Sequence, residues 1–178
     1  TPGILENWHE QISKRQFIQC ASIVVRRAAY EQVGGYLSSL CYTLDWEMWQ
    51  RLAANFPMWF EPQILACFRQ HPASTTSRLR REAADVQDIG RMIELTKSYH
   101  ASVRGEELAR EARLYYAMLA VTTSRRLLVA GDSAAARCQL AAAWNLSPGW
   151  PVFCGATGVA WLQLRLLGAR LKSRFTAP

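Results

Sequence analysis

After Arg78 the sequence changes character, and no other feature limits the fold as strongly. The segments "LRREAADVQDIGRMIELTKSYH", "GEELAREARLYYAMLAVTTSRRLLVA" and "DSAAARCQLAAAWNL" each repeat apolar residues at helical spacing. In the second, Leu108, Ala112, Tyr115 and Leu119 recur on one face. Gly131 is placed to end that helix, and Asp132 or Ser133 to cap the next. Residues 79–178 therefore read as an all-helical region. Residues 1–78 read as mixed α/β. "FIQCASIVVRR" (17–27) is rich in β-branched residues and predicts a buried strand. "RAAYEQV" predicts a short helix, stopped by Gly34 and Gly35 in a left-handed cap. A helix is expected over 44–56, broken by Pro57, then short extended segments around Pro62 and the turn-rich "HPASTTS".

Within the 44–56 helix, Asp45, Trp49, Leu52 and Phe56 share one stripe, which puts a carboxylate on a face that must be buried. Either Asp45 or Thr43 caps the helix, or the fold holds Asp45 at the edge of a site. Trp49 is expected to pack behind it.

Half the 178 residues are hydrophobic and a fifth are charged, which suits a packed core and excludes a disordered chain. The chain starts with Thr and shows no basic-then-apolar leader, so a piece of a longer or processed polypeptide without a secretion signal is expected. Five scattered cysteines without a CxxC pair predict reduced, mostly buried thiols in a cytoplasmic setting, not a disulfide frame or zinc site. The net charge of +7 sits at the end of the chain: from Arg113 onward eight Lys/Arg face Asp132 alone. With no nucleic-acid-binding motif or zinc-finger spacing, nucleic acid is not an expected partner.

Three ordered stretches, "FIQCASIVVRRAAYEQVGGY", "LDWEMWQRLA" and "ILACFRQHPASTTS", together resemble the second half of a family 2 glycosyltransferase domain of the inverting GT-A type. The resemblance covers residues 17–77. It implies a partial GT-A domain in residues 1–78, the acceptor-side half, followed by the helical region 79–178. It implies hexosyl-type transfer from a nucleotide-diphosphate sugar to a saccharide or lipid-linked acceptor, with inversion. It also implies that Asp45 is the general base toward the acceptor hydroxyl, since a sugar hydroxyl attacks only as its proton leaves. Where the family often has two adjacent acids, Leu44 precedes Asp45 here, and Glu47 is the second candidate. Trp46, Glu47, Arg69 and Ser77 are the expected substrate or acceptor contacts. His71 is the expected ligand of a divalent cation, Mn²⁺ or Mg²⁺; the alternative is a plain His71-Pro72 turn. No D-x-D triplet occurs in the chain, so the nucleotide-binding half with its cation is missing and transfer by this chain alone is not expected.

Ala136, Leu140, Ala143, Leu146 and Pro148 resemble the second helix of a tetratricopeptide repeat, making 106–147 either one such unit or an ordinary helical hairpin. In the tail, Ala160, Leu164, Leu167, Leu171 and Phe175 form an apolar stripe flanked by Arg165, Arg170, Lys172 and Arg174. Residues 160–175 are thus either a helix lying on the inner membrane face or a terminal helix packed on the hairpin. Besides the enzyme, the sequence allows a helical interaction module or a peripheral membrane domain without catalytic activity.

Overall fold

The computed structural model describes the chain except Gln70, Pro72 and residues 176–178, with side-chain surroundings through Leu167. In chain order the elements are β1 (Gly3–Ile4), α1 (Trp8–Lys14), α2 (Arg27–Val33), α3 (Leu44–Ala53), β2 (Trp59–Phe60), α4 (Thr75–Glu82), α5 (Ala84–Thr96), α6 (Ser102–Val129), α7 (Ser133–Leu146) and α8 (Trp150–Phe175). The protein is mostly helical. Among the described residues its sheet is one antiparallel pair, with Gly3 opposite Phe60 and Ile4 opposite Trp59.

The long α6 is the spine, about 42 Å at 1.5 Å per residue. It packs on α1, α5, α7 and α8. The α6–α7 hairpin closes as its sequence suggests: Gly131 takes φ +90° and the Asp132 carboxylate accepts the Ala135 N–H at 3.1 Å. Ala117, Ala120, Ala136 and Ala143 are buried along this hairpin, and their small side chains let the two backbones approach. The Ser124 hydroxyl uses that closeness to donate to the Ala136 carbonyl at 2.7 Å.

A second close approach sits at the other end of α6. A Cβ on Gly105 would lie 2.2 Å from the Lys97 carbonyl oxygen, in the 3₁₀ turn Lys97–Tyr99. Inside a helix, Ala normally gains about 1 kcal/mol over Gly. Here the clash is with backbone, so Gly105→Ala is expected to lose about 1–3 kcal/mol instead. Urea unfolding checks the sign.

Among the described residues two apolar clusters form the core. The first joins Trp46, Met48 and Trp49 of α3 to Ile89, Met92 and Ile93 of α5 and to Ala112 and Tyr116 of α6. Complete burial of an indole is worth roughly 4–6 kcal/mol, so Trp46 and Trp49 dominate this cluster. The second joins α6, α7 and α8 with Ala83 and Val86 at the start of α5. The first cluster spans the compositional boundary at Arg78, so the stretch before it is packed directly on the helical region.

Three expectations give way. Residues 17–27 are not a strand: a 3₁₀ turn, Cys20–Ser22, interrupts them. Gln19 and Ile23 are extended, yet no ladder forms, and Val24 is fully exposed. β-Branched residues favour extended backbone, but a strand exists only where a neighbour takes its amides. The helix expected to run on from Arg78 is broken at Ala83, whose φ is +56°. The Gln139 side chain of α7 donates to the Arg80 carbonyl at 2.6 Å, occupying a carbonyl near that break. The thiols expected to be buried are free and exposed, all five of them.

Candidate functional site

The site begins with what fixes the start of α3. Thr43 is the cap residue, but its side chain does not cap the helix. Its hydroxyl donates instead to Asp88 Oδ2 of α5 at 2.8 Å. The same oxygen accepts the backbone N–H groups of Cys41, Tyr42 and Thr43 at 3.2, 2.8 and 2.9 Å. Arg91 donates to Asp88 Oδ1 at 2.9 Å, and the Asp88 side chain is 0% exposed. Burial by itself would raise this carboxyl's pKa; the Tyr42 and Thr43 amides, the Thr43 hydroxyl and Arg91 outweigh it and hold the group below its usual range. One buried anion thus gathers the turn that leads into α3.

Asp45 lies in the first turn so anchored, half-buried. Its Oδ1 accepts the Trp46 N–H at 2.7 Å, and its Oδ2 accepts the Cys20 thiol at 3.3 Å. A carboxylate offers about four lone-pair sites, so two contacts leave acceptor capacity. Beside it, the exposed Tyr36 ring meets Trp49 edge-on at 6.4 Å and Tyr30 at 6.3 Å. Trp49 is buried behind, as expected of it. Burial, then Tyr30, Cys20 and Asp45, push the Tyr36 hydroxyl above the ordinary phenol range, so it stays a proton donor. The Asp45 oxygens are thus met by a backbone N–H and a thiol S–H.

The thiol reports this arrangement. Burial, then the hydrogen bond and charge of Asp45, push Cys20 up to about 11. At pH 8 a two-unit rise leaves about one hundredth of the ordinary thiolate. Cys20 is expected to alkylate with iodoacetamide most slowly of the five cysteines, and Asp45→Asn to speed it about tenfold. Peptide-resolved mass spectrometry separates the five sites. Equal rates at Cys20 and Cys67 would show that the thiol is not held by the carboxylate.

Two of the other expected site residues are inside the fold. Trp46 is 2% exposed and its indole N–H donates to the Ile12 carbonyl at 2.6 Å. Glu47 is 0% exposed; Arg51 grips both its oxygens, at 2.9 and 2.8 Å, and the Tyr99 hydroxyl donates to it at 2.6 Å. Arg51 also donates to the Val33 and Gly35 carbonyls, tying α3 to the end of α2. Neither residue is placed to touch an acceptor, which corrects the sequence-based expectation. The acidic pair divides its labour: Glu47 holds the fold and Asp45 reaches solvent.

Ser77 orders its own loop. Its N–H is accepted by Ser74 Oγ, which caps α4, and its hydroxyl bonds Ser74 Oγ at 2.9 Å and donates to the His71 carbonyl at 3.3 Å. Arg69 and His71 are exposed. The neighbours Gln70 and Pro72 lie outside the described residues, as does the side-chain setting of Arg170, Leu171, Lys172, Arg174 and Phe175. Among the described residues no three His, Cys, Asp or Glu side chains converge as a cation site needs, and His71 offers one donor. Among the described residues His71 thus has no second and third donor beside it to complete a cation's ligand set. An open groove of about 480 Å³ lies elsewhere, between α5 and α7, lined by Val86, Gln87, Gly90, Ala142 and Leu146.

The sequence did not single out Asp88, Cys20, Tyr36 and Tyr99. For Tyr36 a signal existed, since it directly follows the Gly34-Gly35 turn that aims it at Trp49. Comparison with family models, with curated proteins and with solved structures returned no match.

Proposed function

We propose that this chain is the acceptor-side part of an inverting glycosyltransferase of the family 2, GT-A type, with Asp45 as general base. One observation carries the reading: of the two acids at the start of α3, Asp45 is only half-buried, whereas Glu47 is 0% exposed and held by Arg51 and Tyr99. In the reaction, Asp45 takes the proton of an acceptor hydroxyl as its oxygen bonds to the donor's anomeric carbon. The bond from that carbon to the diphosphate breaks, and the nucleoside diphosphate leaves with the electron pair. Tyr36 offers an aromatic face and a hydroxyl for the acceptor sugar. The donor site, its Asp-x-Asp and its Mn²⁺ or Mg²⁺ belong, in this reading, to a nucleotide-binding half outside these 178 residues. The extended positions Gln19, Ile23 and Arg26 mark where that half would supply neighbouring strands.

The test is release of nucleoside diphosphate from nucleotide sugars by a complete enzyme containing both halves, with Asp45 and with Asn in its place. Undiminished turnover in Asp45→Asn overturns the assignment.

A second reading, a helical interaction module, draws on the groove between α5 and α7 and needs no catalytic group. It is distinguished by turnover itself, which an interaction module lacks.

A further inference from the structure

The last helix, α8, is apolar on two opposite faces. Val152, Val159, Leu162 and Leu166 pack on the α6–α7 hairpin. Gly155 brings the helix down onto Val121, where a Cβ would come within 2.8 Å of a methyl carbon. The other face carries Trp150, Phe153, Trp161, Leu164 and Leu167, all exposed. At 100° per residue these five fall within about a third of the helix circumference. Trp161 and Leu164 are 59% and 68% exposed. A surface helix needs one apolar stripe to stay attached to its protein. A second apolar stripe facing water, broken only at Thr157 among the described residues, marks a surface that something covers.

Charge says what covers it. No Asp or Glu follows Asp132, whereas Arg137, Arg165, Arg170, Lys172 and Arg174 give residues 133–178 a formal charge of +5. The Arg165 guanidinium lies 4.8 Å from the centre of the Trp161 ring, and Arg125 of α6 reaches over Gly158 of α8. Cations therefore border the aromatic face. A second copy of the chain would bring the same positive charges together across a symmetric contact. An anionic lipid surface accepts both features, indole and leucine at the acyl boundary and guanidinium among phosphates. Among the described residues no helix is long and apolar enough to cross a membrane. The contact is thus one of lying on the surface.

We propose that α8 docks this protein onto anionic lipid, with Trp161 and Leu164 entering the headgroup layer and Arg125 and Arg165 beside lipid phosphates. The proposal is independent of the sugar-transfer reading. It is tested by sedimenting the 178-residue chain with vesicles of phosphatidylcholine, with and without phosphatidylglycerol. Binding is expected to the anionic vesicles and to weaken as salt shortens the screening length. Trp161→Ser with Leu164→Ser should lower the partition coefficient at least about tenfold, from the apolar area removed. Circular dichroism should leave helix content unchanged, since both side chains face solvent. Should that variant unfold, Arg125→Gln with Arg165→Gln spares the apolar face and should cost about fivefold per charge. Equal binding to neutral vesicles, no binding, or a solution dimer that the Trp161/Leu164 variant dissolves overturns the proposal.

Discussion

Asp45→Asn is expected to lower kcat of the complete enzyme by about 10²- to 10⁴-fold, the usual contribution of a general base. The thermal midpoint should move by no more than a few degrees. The substitution is close to isosteric, and an amide oxygen still accepts the Trp46 N–H that Oδ1 accepts now. What disappears is a group able to take a proton. KM for the donor should hold, because Asp45 meets the acceptor in this reading. A loss in KM with kcat intact would move the residue from chemistry to binding. Glu47 supplies the contrast. It lies two residues on and carries the same charge, but Arg51 and Tyr99 occupy it, so its removal should appear as lost stability.

The helices were readable where local sequence decides them. Gly34 and Gly131 adopt positive φ at the ends of α2 and α6, and Asp132 caps α7, because glycine freedom and a short carboxylate act within a few residues. The break at Ala83 was not readable. Alanine has no preference for left-handed backbone, and the nearby carbonyl of Arg80 is occupied by Gln139, 59 residues away. The supposed strand at 17–27 failed for a related reason. Its composition favours extension, and extension occurs at Gln19 and Ile23, but a ladder requires a neighbouring chain segment.

At the start of α3, the sequence singled out Asp45 over Glu47 and could not tell that Trp46 and Glu47 are enclosed. Trp46 and Glu47 look as available as Asp45 in "LDWEMW" until Ile12, Arg51 and Tyr99 are known to surround them. Periodicity placed Trp49 inward correctly, since a helix face is a local property. Which side of the same helix meets α1 is a property of the whole fold. The residue that most controls the presentation of Asp45 carries no motif at all, because Asp88 acts across 45 residues on three successive amides.

Removing that residue should therefore cost stability on the scale of a core truncation. Asp88→Ala takes the buried acceptor away from the four donors at Oδ2, besides Arg91 at Oδ1, and bonds to a charged acceptor are worth about 1.5–3 kcal/mol each when isolated. They share one oxygen and are not additive, and the Arg91 head left behind is 59% exposed. The expected loss is about 3–5 kcal/mol, read from urea unfolding with an unchanged slope. Asp88→Asn should cost less, since an amide oxygen still accepts the Thr43 N–H but without charge. The pH dependence has a definite sign. Because the folded carboxyl is held below its unfolded value, its contribution is complete above the ordinary carboxylate range and fades as acid titrates the folded group. The Ala variant should lose part of the wild-type slope of stability against pH there. A stability loss under about 1 kcal/mol, with the slope intact, would show that the 41–43 turn holds itself. The start of α3, and with it Asp45, would then be placed by the α3 core contacts of Trp46 and Trp49 alone.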